Sequence, residues 1–166
     1  MDSTTATLIA AIVVMVIFSA YFSATETAFS SLNKIRVRSK AEAGDTRTAL
    51  TLSIADEYDR MLSTILIGNN IVNITASTLG TVLFTRLFNA YGPTISTVVL
   101  TVVVLIFGEI SPKSIAKESP ERIAMWASPL LRVLLVILRP LNFLFSQWKR
   151  LLSHIIRPAD GEGITE

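Results

Sequence analysis

A carboxylate within an apolar run is the residue whose chemistry stands out most. Glu109 lies at the end of an otherwise uncharged hydrophobic segment, Thr94 to Ile110, and is followed by Ser111 and Pro112. An ionised side chain in a bilayer costs ~2.5 kcal/mol or more, so it usually faces a partner, a cavity or an ion. Pro112 cannot donate the backbone hydrogen bond that would close onto Gly108, which leaves that carbonyl free for another ligand. We therefore expect an ion at this position.

Two other apolar segments carry polar stripes that can complete such a site. In the first, Ser19, Ser23 and Glu26 project from one helical face, because their spacings are four and three residues. In the second, a short arc holds a glycine and three amides, Gly68, Asn69, Asn70 and Asn73. An amide inside a membrane must find hydrogen bonds or a cation within the protein, since lipid offers neither. The polar faces of the three segments therefore predict a site between them.

The available donor atoms favour a hard cation. The segments offer hydroxyl, amide and carboxylate oxygens, while the chain has no cysteine and its single histidine lies outside them. Oxygen ligands suit magnesium, calcium or sodium and suit zinc or copper poorly. Magnesium takes about six oxygens, and a site with one or two carboxylates binds it reversibly. The predicted ligands are Ser19, Ser23, Asn70, Glu109 and backbone carbonyls near Gly68 and Gly108, with Asn69, Asn73 and Glu26 as further candidates.

Each of these residues also has an interpretation without an ion. Serines on facing helices often serve only in packing and hydrogen bonding, and glycines such as Gly68 permit close helix approach. Asn73 can equally be a packing or dimer contact. Glu26 is near the predicted inner interface, where a salt bridge to Lys34 or a nearby arginine is the alternative. Lys113 has the simpler interpretation of a cytoplasmic charge anchor.

Composition and hydropathy place these stripes in an integral membrane protein. The 166-residue chain is 51% hydrophobic and 17% charged, and its net charge of +2 is too small to indicate a nucleic-acid partner. Three apolar runs are near the ~20 residues needed to cross a bilayer, about Thr7 to Phe29, Met61 to Phe84 and Thr94 to Ile110. Basic residues crowd between the first two runs, so the loop Asn33 to Arg60 is predicted to be cytoplasmic and the N-terminus outside.

The other segments predict helices on the cytoplasmic side. Ile123 to Trp148 is hydrophobic but interrupted by arginines and prolines. We interpret it as an interfacial helix pair broken near Pro129 and Pro140, and not as a fourth crossing. Thr46 to Tyr58 predicts a short amphipathic helix, capped by Asp45 or Thr46.

Three short motifs resemble the signature stretches of a known family. They are Ser23-Ala24-Thr25-Glu26-Thr27-Ala28, Gly68-Asn69-Asn70 and Gly108-Glu109-Ile110-Ser111-Pro112-Lys113. In this order and spacing they resemble the CorC/CorB and cyclin M (CNNM) magnesium transporters, and the resemblance extends from about Leu8 to Arg150. The chain is thus similar to the transmembrane domain of a bacterial CorC-type protein.

The resemblance implies both an architecture and an activity. It implies an all-α membrane fold, with three transmembrane helices per subunit of a homodimer and a cytoplasmic-side belt of juxtamembrane helices. It implies sodium-coupled magnesium export by alternating access in the bacterial inner membrane, with the C-terminus cytoplasmic. Residues 1–150 would then be the transmembrane domain, and residues 151–166 the start of a linker to cytoplasmic CBS domains that bind ATP. No ATP is expected to bind this chain.

Two other classes of function remain open on the residues alone. The polar stripes could belong to a magnesium-sensing or regulatory membrane module that moves nothing itself. An intramembrane hydrolase would need Ser19 or Ser23 as nucleophile, but no histidine or lysine base lies in the spans and His154 is far along the chain. We therefore predict that the chain is not an enzyme.

Overall fold

The computed structural model describes residues 2–144 and 147–148. All regular secondary structure in these residues is helical. A 3-10 turn, Asn89–Tyr91, separates the fourth helix from the fifth, and a π-helical segment, Val104–Ile110, joins the fifth to the sixth. The α-helices that order the described residues are α1 Ser3–Ser30, α2 Lys34–Glu42, α3 Thr46–Asp56, α4 Tyr58–Phe88, α5 Gly92–Val103, α6 Ser111–Glu118 and α7 Pro120–Ile137. The described residues thus agree with the predicted all-α class.

Two helical runs are long and apolar enough to cross a membrane, Ser3–Ser30 and Tyr58–Glu118. The second run contains both of the later predicted spans and reverses direction at Asn89, whose φ is +50°. The reversed chain is antiparallel to α4, because Gly92 packs on the Thr85 backbone while Gly80 packs on Leu100 further along α5. Only a residue without a Cβ fits at Gly92, so the hairpin depends on it. Three separate membrane crossings remain a prediction.

The short helix predicted over Thr46 to Tyr58 is confirmed as α3, Thr46–Asp56. Asp45 is its N-cap, and one carboxylate oxygen accepts from the backbone N–H groups of Arg47 and Thr48. The Thr48 hydroxyl donates to the other oxygen at 2.6 Å, and these hydrogen bonds lower the pKa of Asp45. The cap therefore satisfies amides that the start of a helix leaves without partners.

The segment from Ile123 onward differs from expectation at one of its two predicted breaks. Pro129 lies inside α7, which continues to Ile137, so the break predicted there is wrong. Its neighbours Ser128 and Leu131 are fully buried against other helices, and this packing maintains the helical path that a proline usually interrupts. The second break is confirmed. Helix α7 ends at Ile137 with Leu138 as its C-cap, and helix resumes over residues 139–144 around Pro140.

The main core lies where α1, α3, α4, α6 and α7 meet. Its buried members include Phe22, Ile54, Met61, Ala116 and Leu131. A smaller cluster of Ile12, Leu83 and Leu100 occupies the opposite end of the bundle. The candidate site lies between these two clusters along α1.

Candidate metal site

Ser19 is the point at which three helical segments meet. It is fully buried, and its hydroxyl donates to the Asn69 side-chain oxygen on α4 at 3.2 Å. Gly108 in the π-helical segment approaches it so closely that a Cβ there would lie 2.9 Å from the Ser19 Oγ. The predicted stripes on α1, on α4 and beside Glu109 therefore do converge.

Ser23 lies one helical turn beyond Ser19 and has an unsatisfied hydroxyl. The residue is 1% exposed, and within the described part of the chain its Oγ has no hydrogen-bond partner. Leaving a buried polar group unpaired costs about 1–3 kcal/mol, so such a group calls for an explanation. A cation coordinated by the Ser23 hydroxyl oxygen would explain why this group has no hydrogen-bond partner.

Glu109 belongs to the π-helical segment that precedes Pro112. It is partly buried, and no ion pair or hydrogen bond holds its side chain among the described residues. The helical path continues past Ile110 as α6, although Pro112 lies in its first turn. In the wider turn, the backbone N–H of Ser111 donates to Ile106, five residues earlier.

Pro112 gives a physical reason for the wider turn. A proline in a regular α-helix removes the hydrogen bond to the carbonyl four residues earlier and its ring clashes with that carbonyl, here that of Gly108. A single π-helical turn relieves this conflict and commonly marks a functional position. The Gly108 carbonyl remains a predicted ligand.

The three asparagines of α4 have different surroundings. The side-chain oxygen of Asn69 accepts from Ser19 and, at 3.5 Å, from the Asn73 amide. Asn70 is exposed, and its amide donates to the Leu66 carbonyl of its own helix at 2.9 Å. The structure therefore brings Asn69 to Ser19, whereas the role of Asn70 as a ligand remains a prediction. Spacing along α4 could not distinguish these neighbours, because the choice depends on how α4 is rotated against α1.

Gly68 has the packing role that was its alternative interpretation. The ring of Phe22 occupies the space where a Cβ would lie, so α1 and α4 approach closely at this point. A carbonyl ligand near Gly68 is compatible with this contact and stays a prediction. Asn73 has a buried side-chain oxygen without a hydrogen-bond partner among the described residues, so its role also stays open.

Glu26 forms an ion pair, but with a partner that the sequence analysis did not assign. Its carboxylate lies 3.4 Å from the Lys113 ammonium, whereas Lys34 lies 3.8 Å from Asp56 and donates to the Ala55 carbonyl. The expected pairing of Glu26 with Lys34 or an arginine is therefore wrong. Lys34 is directed towards α3, and the packing of α6 on α1 brings Lys113 within reach of Glu26.

The donors at this site define the kind of ion that it can hold. Over the described residues no three side chains of His, Cys, Asp or Glu form a cluster. The oxygens that the structure brings together are the hydroxyl of Ser19 and the amide oxygen of Asn69, and the Glu109 carboxylate adjoins Gly108 in the chain. This set suits a hard cation held with modest affinity.

The fold and the site together define an all-helical membrane domain with an oxygen-rich centre between its helices. Residues 9–165 match the cyclin M (CNNM) transmembrane N-terminal domain. The chain belongs to this family.

Several curated proteins are similar to the chain. The UPF0053 inner membrane protein YfjD of Escherichia coli (strain K12) is 42% identical over 138 residues, which cover 83% of this chain and 32% of that protein. A UPF0053 protein of Haemophilus influenzae is 39% identical over 150 residues, covering 90% and 36%. A protein of the same organism named polyamine export protein is 25% identical over 162 residues, covering 90% and 38%. The chain spans about a third of the length of these relatives.

Proposed function

We propose that the chain is the membrane domain of a magnesium transporter that exports Mg²⁺ in exchange for Na⁺. The ion would be largely dehydrated and held by Glu109, Asn70, Ser19 and Ser23, with carbonyls near Gly68 and Gly108. The observation that carries the proposal is the buried hydroxyl of Ser23, which has no hydrogen-bond partner among the described residues and lies beside the junction of Ser19, Asn69 and Gly108. Because Asn69 accepts from Ser19, we add its side-chain oxygen to the proposed ligands.

Sodium coupling follows from the charge of the proposed site. Mg²⁺ and Na⁺ both take oxygen ligands, and both would use the one carboxylate of Glu109. Occupancy by one ion therefore disfavours the other, and each ion stabilises the conformation in which it binds better. Alternating access then couples outward Mg²⁺ movement to inward Na⁺ movement.

The proposed orientation in the membrane places the N-terminus outside, α2 and α3 on the cytoplasmic side, and α7 along the inner membrane surface. In support, the basic residues of α2 gather at that end, where Arg36 and Lys40 lie 3.1 Å and 3.2 Å from Glu121. Trp126 on α7 is 67% exposed at the same end, as an aromatic side chain at a membrane interface would be. We also propose a homodimer in the bacterial inner membrane, and cytoplasmic CBS domains that bind ATP in the whole protein.

Calorimetry in detergent tests the site. We expect Glu109→Gln to weaken Mg²⁺ binding by at least about tenfold, equal to ~1.4 kcal/mol, because the only carboxylate of the site loses its charge. Glu118→Gln is the matched control, since Glu118 is exposed at the end of α6 and should leave binding unchanged. Equal affinities for the wild type and Glu109→Gln would remove Glu109 from the site.

Flux in proteoliposomes that contain only this chain tests transport. Sodium-dependent Mg²⁺ movement is the expected result. Binding without flux would favour the magnesium-sensing or regulatory module. A third arm replaces Mg²⁺ with spermidine, since one relative is named a polyamine export protein. Spermidine flux without Mg²⁺ flux would overturn the choice of ion.

A further inference from the structure

We infer that Glu26 and Lys113 form a latch on the cytoplasmic side of the cation site, in which Glu26 exchanges its Lys113 partner for an arriving cation. The inference rests on the proposed transport function and adds two residues to its path. Its physical basis is the alignment of this ion pair with the junction of Ser19 and Gly108 along a single helix interface.

The alignment follows from two contacts and one shared apolar cluster between α1 and the run from α5 to α6. Ile12 and Leu100 share one cluster, Ser19 faces Gly108, and Glu26 pairs with Lys113. Residue numbers rise together on both sides, so the two runs are parallel. The ion pair therefore lies beyond the Ser19 junction at the end of the bundle that carries the basic residues.

Glu26 continues the face of α1 that carries the two serines. It follows Ser23 by three residues, which keeps it on the same face of the helix. Lys113 lies in the first turn of α6, which directly follows the π-helical segment that holds Gly108 and Glu109. An ion that leaves the cytoplasm for Glu109 along this interface would pass the pair before it reaches Ser23 and Ser19.

The pair is suited to exchange and poorly suited to hold the helices together. The side chains of Lys113 and Glu26 are 42% and 31% exposed, and exposed ion pairs contribute little to stability. Buried Ala28, Phe29 and Ala116 already belong to the apolar core in this region. Lysine is a compact charge on a flexible stem, so it can move aside while the carboxylate stays in place.

An arriving Mg²⁺ has a physical advantage over the ammonium. It carries twice the charge, and carboxylate oxygens are among its preferred ligands. Glu26 would therefore accept the ion first, and Lys113 would return to Glu26 once the ion has moved on. The ammonium thus keeps the Glu26 carboxylate neutralised between transport events.

The two halves of the pair are expected to act in opposite directions on transport. Glu26→Gln removes the first acceptor and should raise the KM for cytoplasmic Mg²⁺. Lys113→Gln removes the competing ammonium and should lower that KM. Each change is expected to be about twofold to fivefold, because exposed pairs couple weakly. If the pair only held α1 against α6, both substitutions would change transport in the same direction.

The test measures Mg²⁺ flux from the cytoplasmic face in proteoliposomes, with Mg²⁺ affinity measured by calorimetry on the same variants. Asp56→Asn is the matched control, since it removes another exposed ion pair, with Lys34, on a different helix. Glu26→Asp retains the carboxylate and should raise the KM less than Glu26→Gln does. Melting temperatures identify any variant that fails to fold.

The outcomes separate the latch from the function on which it depends. Opposite KM shifts with unchanged equilibrium affinity support the latch. If the wild type transports Mg²⁺ but Glu26→Gln and Lys113→Gln leave the KM unchanged, or shift it in the same direction, the latch is wrong and the transporter proposal stands. Absence of both Mg²⁺ binding and Mg²⁺ flux in the wild type overturns the proposed function, and the latch with it.

Discussion

At the scale of single residues, the site depends on how closely Gly108 approaches Ser19. The absence of a side chain at Gly108 lets the π-helical segment lie against the serine hydroxyl, which in turn donates to Asn69. Gly80 creates a similar close approach between α4 and α5, where Leu100 and Ser96 fill the space beside it. The two glycines therefore have equivalent packing roles, but only one of them adjoins the proposed ligands.

We expect Gly108→Ala to abolish Mg²⁺ binding. The new methyl group would lie 2.9 Å from the Ser19 Oγ and 3.2 Å from its Cβ, so the serine must move. Overpacking of this kind costs about 1–3 kcal/mol, part of which the better helix propensity of alanine offsets. Gly80→Ala is the control, with a similar loss of stability and retained Mg²⁺ binding. Thermal unfolding and calorimetry on both variants make the comparison, and normal Mg²⁺ binding by Gly108→Ala would contradict the proposed geometry.

At the scale of elements, the π-helical segment distinguishes the third apolar run from an ordinary span. The wide turn covers Val104–Ile110 and ends two residues before Pro112. The insertion changes the direction in which residues before and after it project, because a π turn holds more residues than an α turn. Sequence analysis predicted from Pro112 that the Gly108 carbonyl lacks its helical partner, but a proline pattern does not show how the neighbouring turn adapts.

Replacing Pro112 should separate stability from function. Pro112→Ala restores a backbone donor and removes the ring clash, so the π turn is expected to convert to regular α-helix. We expect stability to be unchanged or higher and Mg²⁺ binding to fall, because a regular turn would change how Gly108 packs on Ser19 and where Glu109 projects. Pro129→Ala in α7 is the control and should keep Mg²⁺ binding. The prediction fails if Pro112→Ala binds Mg²⁺ as the wild type does, measured together with its melting temperature.

At the scale of the whole molecule, α7 is fixed across the helices that carry the site. The Tyr21 hydroxyl on α1 donates to the Ala127 carbonyl at 2.8 Å, and the hydroxyls of Thr51 and Ser128 share a hydrogen bond at 2.9 Å. One face of α7 is buried in the core, including Leu131, while Leu130 beside it is 41% exposed. Helix α7 therefore supports the bundle on one face and leaves an apolar face available to lipid.

We expect Leu131→Ala to destabilise the protein by about 2–5 kcal/mol, the usual cost of a cavity in a packed core. Leu130→Ala removes the same atoms from the exposed face and should cost much less. Denaturant unfolding in detergent, followed by tryptophan fluorescence, compares the two variants. Similar losses for both would mean that α7 is buried on both faces, for example by another subunit.

Local chemistry and hydrophobic patterning were sufficient to predict several features of this protein. They predicted the helical class, the apolar runs, the Asp45 cap and the polar stripes of Ser19, Ser23 and Glu109, because these depend on residue type and spacing along one helix. The tertiary structure decided which asparagine meets Ser19, which lysine pairs with Glu26 and how the chain accommodates Pro112 and Pro129. Those outcomes depend on how each helix is rotated and how closely it packs against its neighbours. Side chains from several segments that are distant in the sequence determine the rotation and the packing distance.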